Sequence, residues 1–181
     1  TNQEAAVFQE NQRGRKETMA HPLDAVQWAL HYPVLIDLHS WFGHENQSPE
    51  VRHAIGLYQQ GKLAKALAEL KLLPAEALTA DVLILRSELL LTAGRVEEAL
   101  PDLQRAEQLE PGNSDALALR AMVFVTQNRK QEALTLAEQA VQNNPASSTA
   151  RLALSYAQQA HFQIEAALAS IGEAVRLDPQ N

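Results

Sequence analysis

Apolar and small side chains recur along this chain at the intervals of helical faces. Leu63, Leu67 and Leu70 are four and three positions apart, so all three fall on one side of a helix. A longer pattern follows. Large residues stand at Leu83, Leu90 and Leu103, small ones at Ser87, Ala99 and Ala106, and Pro111 closes the stretch. The corresponding places one period on hold Leu117, Ala121, Phe124, Ala133, Ala137, Ala140 and Pro145. After another period they hold Arg151, Ser155, Gln158, Ala167, Ile171, Ala174 and Pro179. The even spacing of the three prolines sets a period of about 34 residues, a length known for stacked helix pairs. Counted back from their prolines, the units are Ala80–Asn113, Ser114–Ser147 and Ser148–Asn181, which follow one another to the last residue without a gap. Each reads as two helices. Gly94, and Asn128 in the same place, suit the left-handed residue that ends a first helix. Each proline stops a second helix by forcing its predecessor out of the helical region.

A degenerate unit precedes these at Gln47–Thr79. Gly61 and Ala66 stand one position short of a full period before Gly94 and Ala99, and Ala54 takes the small place in the first helix. The terminal proline is missing. A helix pair with one apolar face cannot bury it alone, so units of this length must stack.

The phased positions resemble the tetratricopeptide repeat. That family wants large residues at positions 4, 11 and 24, small ones at 8, 20 and 27, and proline at 32. The unit Ala80–Asn113 meets every one. The next departs only at Ala137, which is small where a bulky residue is wanted, and the last is polar at two core positions, Arg151 and Gln158. The resemblance implies an all-α superhelical solenoid of three clear repeats and one degenerate repeat. The small residues at 8 and 20 would let the two helices of a unit approach, and alanine at 27 would let the second helix pack on the next unit.

Residues 1–46 lie outside the period. Residues 1–19 form a polar arm with few apolar anchors. Residues 20–46 are different, holding Trp28, Tyr32, Trp41 and Phe42 among aliphatic neighbours. Asp24 can cap a short helix, Ala25–His31, that Pro33 ends, and a second through Leu35–Phe42 would stop at Gly43. Two readings stand for this aromatic-rich helical segment. It caps the open end of the first repeat, or it docks into the concave groove of its own or a neighbouring molecule. Its HPLDAVQWALHYP stretch is similar to the segment between the FecR-like domain and the repeats of some bacterial envelope proteins, which implies a bacterial envelope, periplasmic location. Without that resemblance the expectation is cytoplasmic. The chain starts at Thr1 rather than Met, so its compartment stays open.

In the family, the first helix of each unit lines the concave surface. The corresponding residues here include Ile55, Tyr58, Ile84, Glu88, Leu91, Ala118, Met122, Val125, Leu152 and Tyr156. The family's chaperone-binding members hold a peptide carboxylate with Lys and Asn. Ile84, Glu88, Ala118 and Met122 stand in those places, so that activity is not implied. A mainly apolar groove suits an amphipathic helix or extended apolar segment of a protein partner. Serine at Ile84, Leu91 and Met122 is expected to weaken such binding and leave helical content intact. At the far end, Ala167, Leu168, Ile171 and Val175 should leave a partly exposed apolar face, which points to self-assembly into a homodimer or higher oligomer as the alternative function.

Composition narrows the chemistry. The 181 residues carry 22 acids against 15 bases and no cysteine. A net charge of −7 argues against an electrostatic grip on nucleic acid, and the missing thiols exclude disulfides and thiolate metal sites. No apolar run reaches the roughly 20 residues that a membrane span needs. His21, His31, His39, His44 and His53 cluster in sequence, yet their spacing, with Asp37 and Glu45, fits no single helical face, so no metal or cofactor is expected. Phosphate-loop, nucleophile-elbow and dinucleotide motifs are missing as well. A non-enzymatic interaction scaffold is the expected function.

Overall fold

The computed structural model describes residues 47–179. The polar arm, the aromatic block with Trp28, Tyr32, Trp41 and Phe42, the helices expected at Ala25–His31 and Leu35–Phe42, and the last two residues lie outside the described residues. Among the described residues every regular element is helical: α1 Pro49–Gln59, α2 Leu63–Lys71, a 3-10 turn Ala75–Ala77, α3 Ala80–Thr92, α4 Val96–Leu109, α5 Ser114–Thr126, α6 Lys130–Asn143, α7 Ser148–Ala160 and α8 Ile164–Leu177.

First and second helices start by different means. Each first helix has a side-chain cap for its free backbone N–H groups: Ser48 accepts from Val51, Thr79 from Val82, Asn113 from Asp115 and Ala116, and Ser147 from Ala150. No second helix has one. They begin instead directly out of the turn that ends the first helix. That turn recurs with Gly61, Gly94, Asn128 and Phe162 at positive φ. After each, the next residue's N–H reaches back across the turn into the first helix: Lys62 to Leu57 at 2.9 Å, Arg95 to Leu90 at 2.8 Å, Arg129 to Phe124 at 2.8 Å and Gln163 to Gln158 at 2.9 Å. This is the Schellman closure, and it needs one left-handed residue. Glycine supplies it freely, whereas Phe162 adopts φ 59° against the steric preference of its Cβ.

Second helices α4, α6 and α8 end two positions before Pro111, Pro145 and Pro179, and the intervening Glu110, Asn144 and Asp178 have left helical geometry at ψ 83°, 90° and 85°. The degenerate unit ends differently, with Pro74 leading into the 3-10 turn.

Packing follows the small residues. Ala99, Ala133, Ala106 and Ala140 are wholly buried, and Ser87 satisfies its hydroxyl by donating to Leu83 O at 2.8 Å. Each first helix packs on its own second helix, and α2, α4 and α6 pack on the first helix of the next unit. One core cluster runs from Val51 to Ala174. Leu67 and Leu70 enter it and Leu63 packs beside it.

The last unit departs from the pattern. Arg151 and Gln158, at two core positions, are half-buried, and Ser170 donates to Gln158 Oε1 at 2.8 Å. Leu168, Ile171 and Val175 are exposed as expected. Ala167 is not. At position 20 it faces its own first helix and is buried, so it drops out of the expected apolar end.

Candidate partner-binding groove

The groove floor is built from the first helices, which expose little. On α3 every residue from Val82 to Leu91 is buried except Arg86, and on α5 every residue from Ala116 to Val125 except Arg120. Ten consecutive residues turn through nearly three circuits of a helix, so these helices are buried on all sides.

The floor residues share one environment. Leu91, Ala118 and Met122 are 0% exposed, while Ile55, Ile84, Val125, Leu152 and Tyr156 retain 4–8%. All eight belong to the continuous core cluster. Tyr58 is half-buried and packs against that cluster, and Glu88 is buried. Burial pushes the Tyr58 phenol's pKa up, and the Glu88 carboxylate adds to the shift because a second negative charge nearby is disfavoured.

Enclosure changes the expectation for serine substitution. At Leu91 and Met122 it would leave cavities and buried hydroxyls, at about 2–5 kcal/mol each, so the helical content would not be spared.

Two arginines that sequence reading passed over organise the outer side of the first helices. Arg86 makes a two-pronged pair with Asp102, both bonds at 2.6 Å, and donates to Leu70 O at 3.1 Å, so one guanidinium ties three successive helices. Arg120 pairs with Glu107 of the preceding unit and lies over the Phe124 ring, whose other neighbour Arg129 sits 3.7 Å from the ring centroid. The signal was legible, since Arg86 and Arg120 are one period apart, at position 7 of their units. Phe162 is the other omission, and it falls one period after Asn128.

Among the described residues no three His, Asp or Glu side chains gather into a metal-sized site. Surface Glu98 is held at about 2 by hydrogen bonds from Arg95 and then Lys71. No described helix is long and apolar enough to cross a membrane.

Known structures share this architecture. A MamA fragment from Desulfovibrio magneticus RS-1 is 21% identical with a TM-score of 0.56, covering 75% of this chain and 79% of its own. A thermophilic TPR protein of Thermus thermophilus is 19% identical with a TM-score of 0.61, covering 72% of this chain and 73% of its own. At such identities the likeness is one of fold. No curated protein matches the sequence. The tetratricopeptide repeat family model matches residues 51–116 and 118–181. With the phased alanines, the left-handed turns and the stacked helix pairs already described, that match makes this chain a member of the tetratricopeptide repeat family.

Proposed function

We propose that the chain is a non-enzymatic interaction module that takes a helix or extended apolar segment of a protein partner along its first-helix floor. The observation that carries this reading is the continuity of that floor: Ile55, Ile84, Leu91, Met122, Val125 and Leu152 follow one another across all four units, with Glu88 among them and Asp81 and Asp115 at the starts of α3 and α5 as the charged positions. Such a surface gains affinity by burial and selects for helix-spaced apolar anchors. A photoreactive benzoylphenylalanine at Tyr58, the partly exposed floor position, should cross-link a foreign protein in the cells that make this chain. The same label at Glu165, exposed on the outer layer, should not. Equal yields, or no foreign product, would overturn the reading.

Self-assembly is the second reading, favoured by the apolar residues on α8. The places of Leu168 and Ile171 in earlier units are Leu100 and Leu134, packed on the core, and Leu103 and Ala137, wholly buried. Light scattering across concentration tests this, with Leu168→Glu expected to lower any associated mass. An envelope location rests on the resemblance of residues 21–33 alone.

A further inference from the structure

We infer that the groove's resident ligand is the chain's own residues 20–46, docked in cis, so that a partner binds by displacing them. This rests on reading the groove as the binding site, and it names what fills that site first.

The argument starts from the sides of a helix. In a two-layer stack, a first helix meets its own second helix and the units before and after it. Thus α3 meets α2, α4 and α5, and α5 meets α3, α4, α6 and α7. These neighbours account for three sides. The fourth is the groove floor, where Ile84, Glu88, Leu91, Ala118, Met122, Val125, Leu152 and Tyr156 ought to meet solvent, yet all are at least nine-tenths buried.

The given sequence offers its own candidates for that cover outside residues 47–179: 46 residues before Gln47 and two after Pro179. Of those 46, residues 1–19 are mostly polar, whereas 20–46 hold both tryptophans with Tyr32, Phe42, Leu35, Ile36 and Leu38. Aromatic faces on an aliphatic floor that includes Met122 are a favourable contact, large in area and adaptable at the sulfur.

Reach also fits. Residue 46 joins the chain just before Ser48, which caps α1 at one end of the floor. Four first helices at roughly 8–10 Å spacing make a floor of about 30 Å. Twenty-seven residues span about 40 Å even if wholly helical. No second molecule is required, and a tether this short holds the segment at an effective concentration of about a millimolar.

The test uses the full chain. Trp28 and Trp41 are the tryptophans of the sequence, so emission excited at the red edge, where tyrosine does not absorb, reports on this segment alone. Emission should be blue-shifted relative to the denatured chain and shielded from acrylamide; solvent-like emission with undiminished quenching would overturn the inference. The occupant is then located with a fluorescent synthetic peptide of residues 20–46. It should bind the full-length double variant Trp28→Ser, Trp41→Ser at least about tenfold more tightly than the wild type, whose groove is already filled. Both substitutions lie outside the repeats in sequence, an unchanged helical circular-dichroism signal checks that the variant keeps its fold, and equal affinities would sink the inference. Benzoylphenylalanine at Tyr58 of the purified chain should give an internal cross-link to residues 20–46 at monomer mass. A covalent dimer would mean a second copy is the occupant. Shielded tryptophans with no foreign protein captured in cells would uphold this inference and defeat the partner reading; exposed tryptophans with a captured partner would do the reverse.

Discussion

Helices α5 and α8 are both rich in apolar residues and meet opposite fates. Of α5's 13 residues nine are buried, while α8 buries three of 14 and leaves Ile164, Leu168 and Val175 at 52%, 65% and 58% exposure. Composition does not separate them. Place in the stack does: α5 has helices before and after it, whereas among the described residues α8 packs chiefly on α7. A repeat protein is stabilised by its interfaces as much as by its units, so the same residue type is worth several kcal/mol in one place and little in another.

The largest expected effect tests that difference directly. Met122→Ala on α5 should destabilise by about 2–5 kcal/mol, and Leu168→Ala on α8 by less than about 0.5 kcal/mol. Urea unfolding of the two variants decides it; comparable losses would mean that α8's face is covered in solution. The pair also sharpens the docking inference. If residues 20–46 cover the floor, the Met122→Ala cost should fall in the Trp28→Ser, Trp41→Ser background, because a floor open to water leaves less of a cavity.

A smaller effect separates weak packing of the last unit from strain in its turn. Phe162 is 82% exposed at φ 59°, and what its ring offers in return is Lys130 Nζ, 5.3 Å from the centroid. Left-handed geometry costs a bulky residue about 1–2 kcal/mol, and an exposed cation–π contact returns about 0.5–1 kcal/mol. Phe162→Gly should therefore stabilise the chain, by up to about 1 kcal/mol, seen as a raised thermal midpoint. A lowered midpoint would show that the ring has a neighbour that matters.

The smallest effect lies at the surface between units. Glu98 receives hydrogen bonds from Arg95 and, at 3.0 Å, from Lys71 of the preceding unit, which lower its pKa from 4.5 to about 2. A folded pKa below the unfolded one adds stability that is in place above about pH 4.5 and is lost as pH falls toward 2. The group is half-exposed and screened, so the contribution is below about 1 kcal/mol. Glu98→Gln should flatten that part of the stability–pH curve by lowering neutral stability by less than about 1 kcal/mol, with little change near pH 2. An unaltered acid limb would show the pairing to be inconsequential.

The helix pairs were legible because their punctuation is local. A glycine or asparagine in the left-handed place and a proline just past a helix act on their immediate neighbours, whatever surrounds them. Phe162 was not legible, since nothing in its chemistry asks for that conformation and only its place in the period does. The tie from Arg86 to Asp102 and Leu70 also escaped, because it joins three helices whose proximity exists only after stacking. For the floor, the family resemblance assigned Ile84, Leu91 and Met122 to the concave face, and the structure buries all three. Their enclosure depends on what lies across from them.

By itself the sequence determined the period, the turn sites, the helix stops and the apolar identity of both helix layers, since backbone sterics and side-chain spacing operate along the chain. Tertiary structure alone decided that α5 is enclosed on every side while, among the described residues, α8 packs chiefly on α7. Burial is a property of neighbours, and neighbours a full period apart meet only when the units stack.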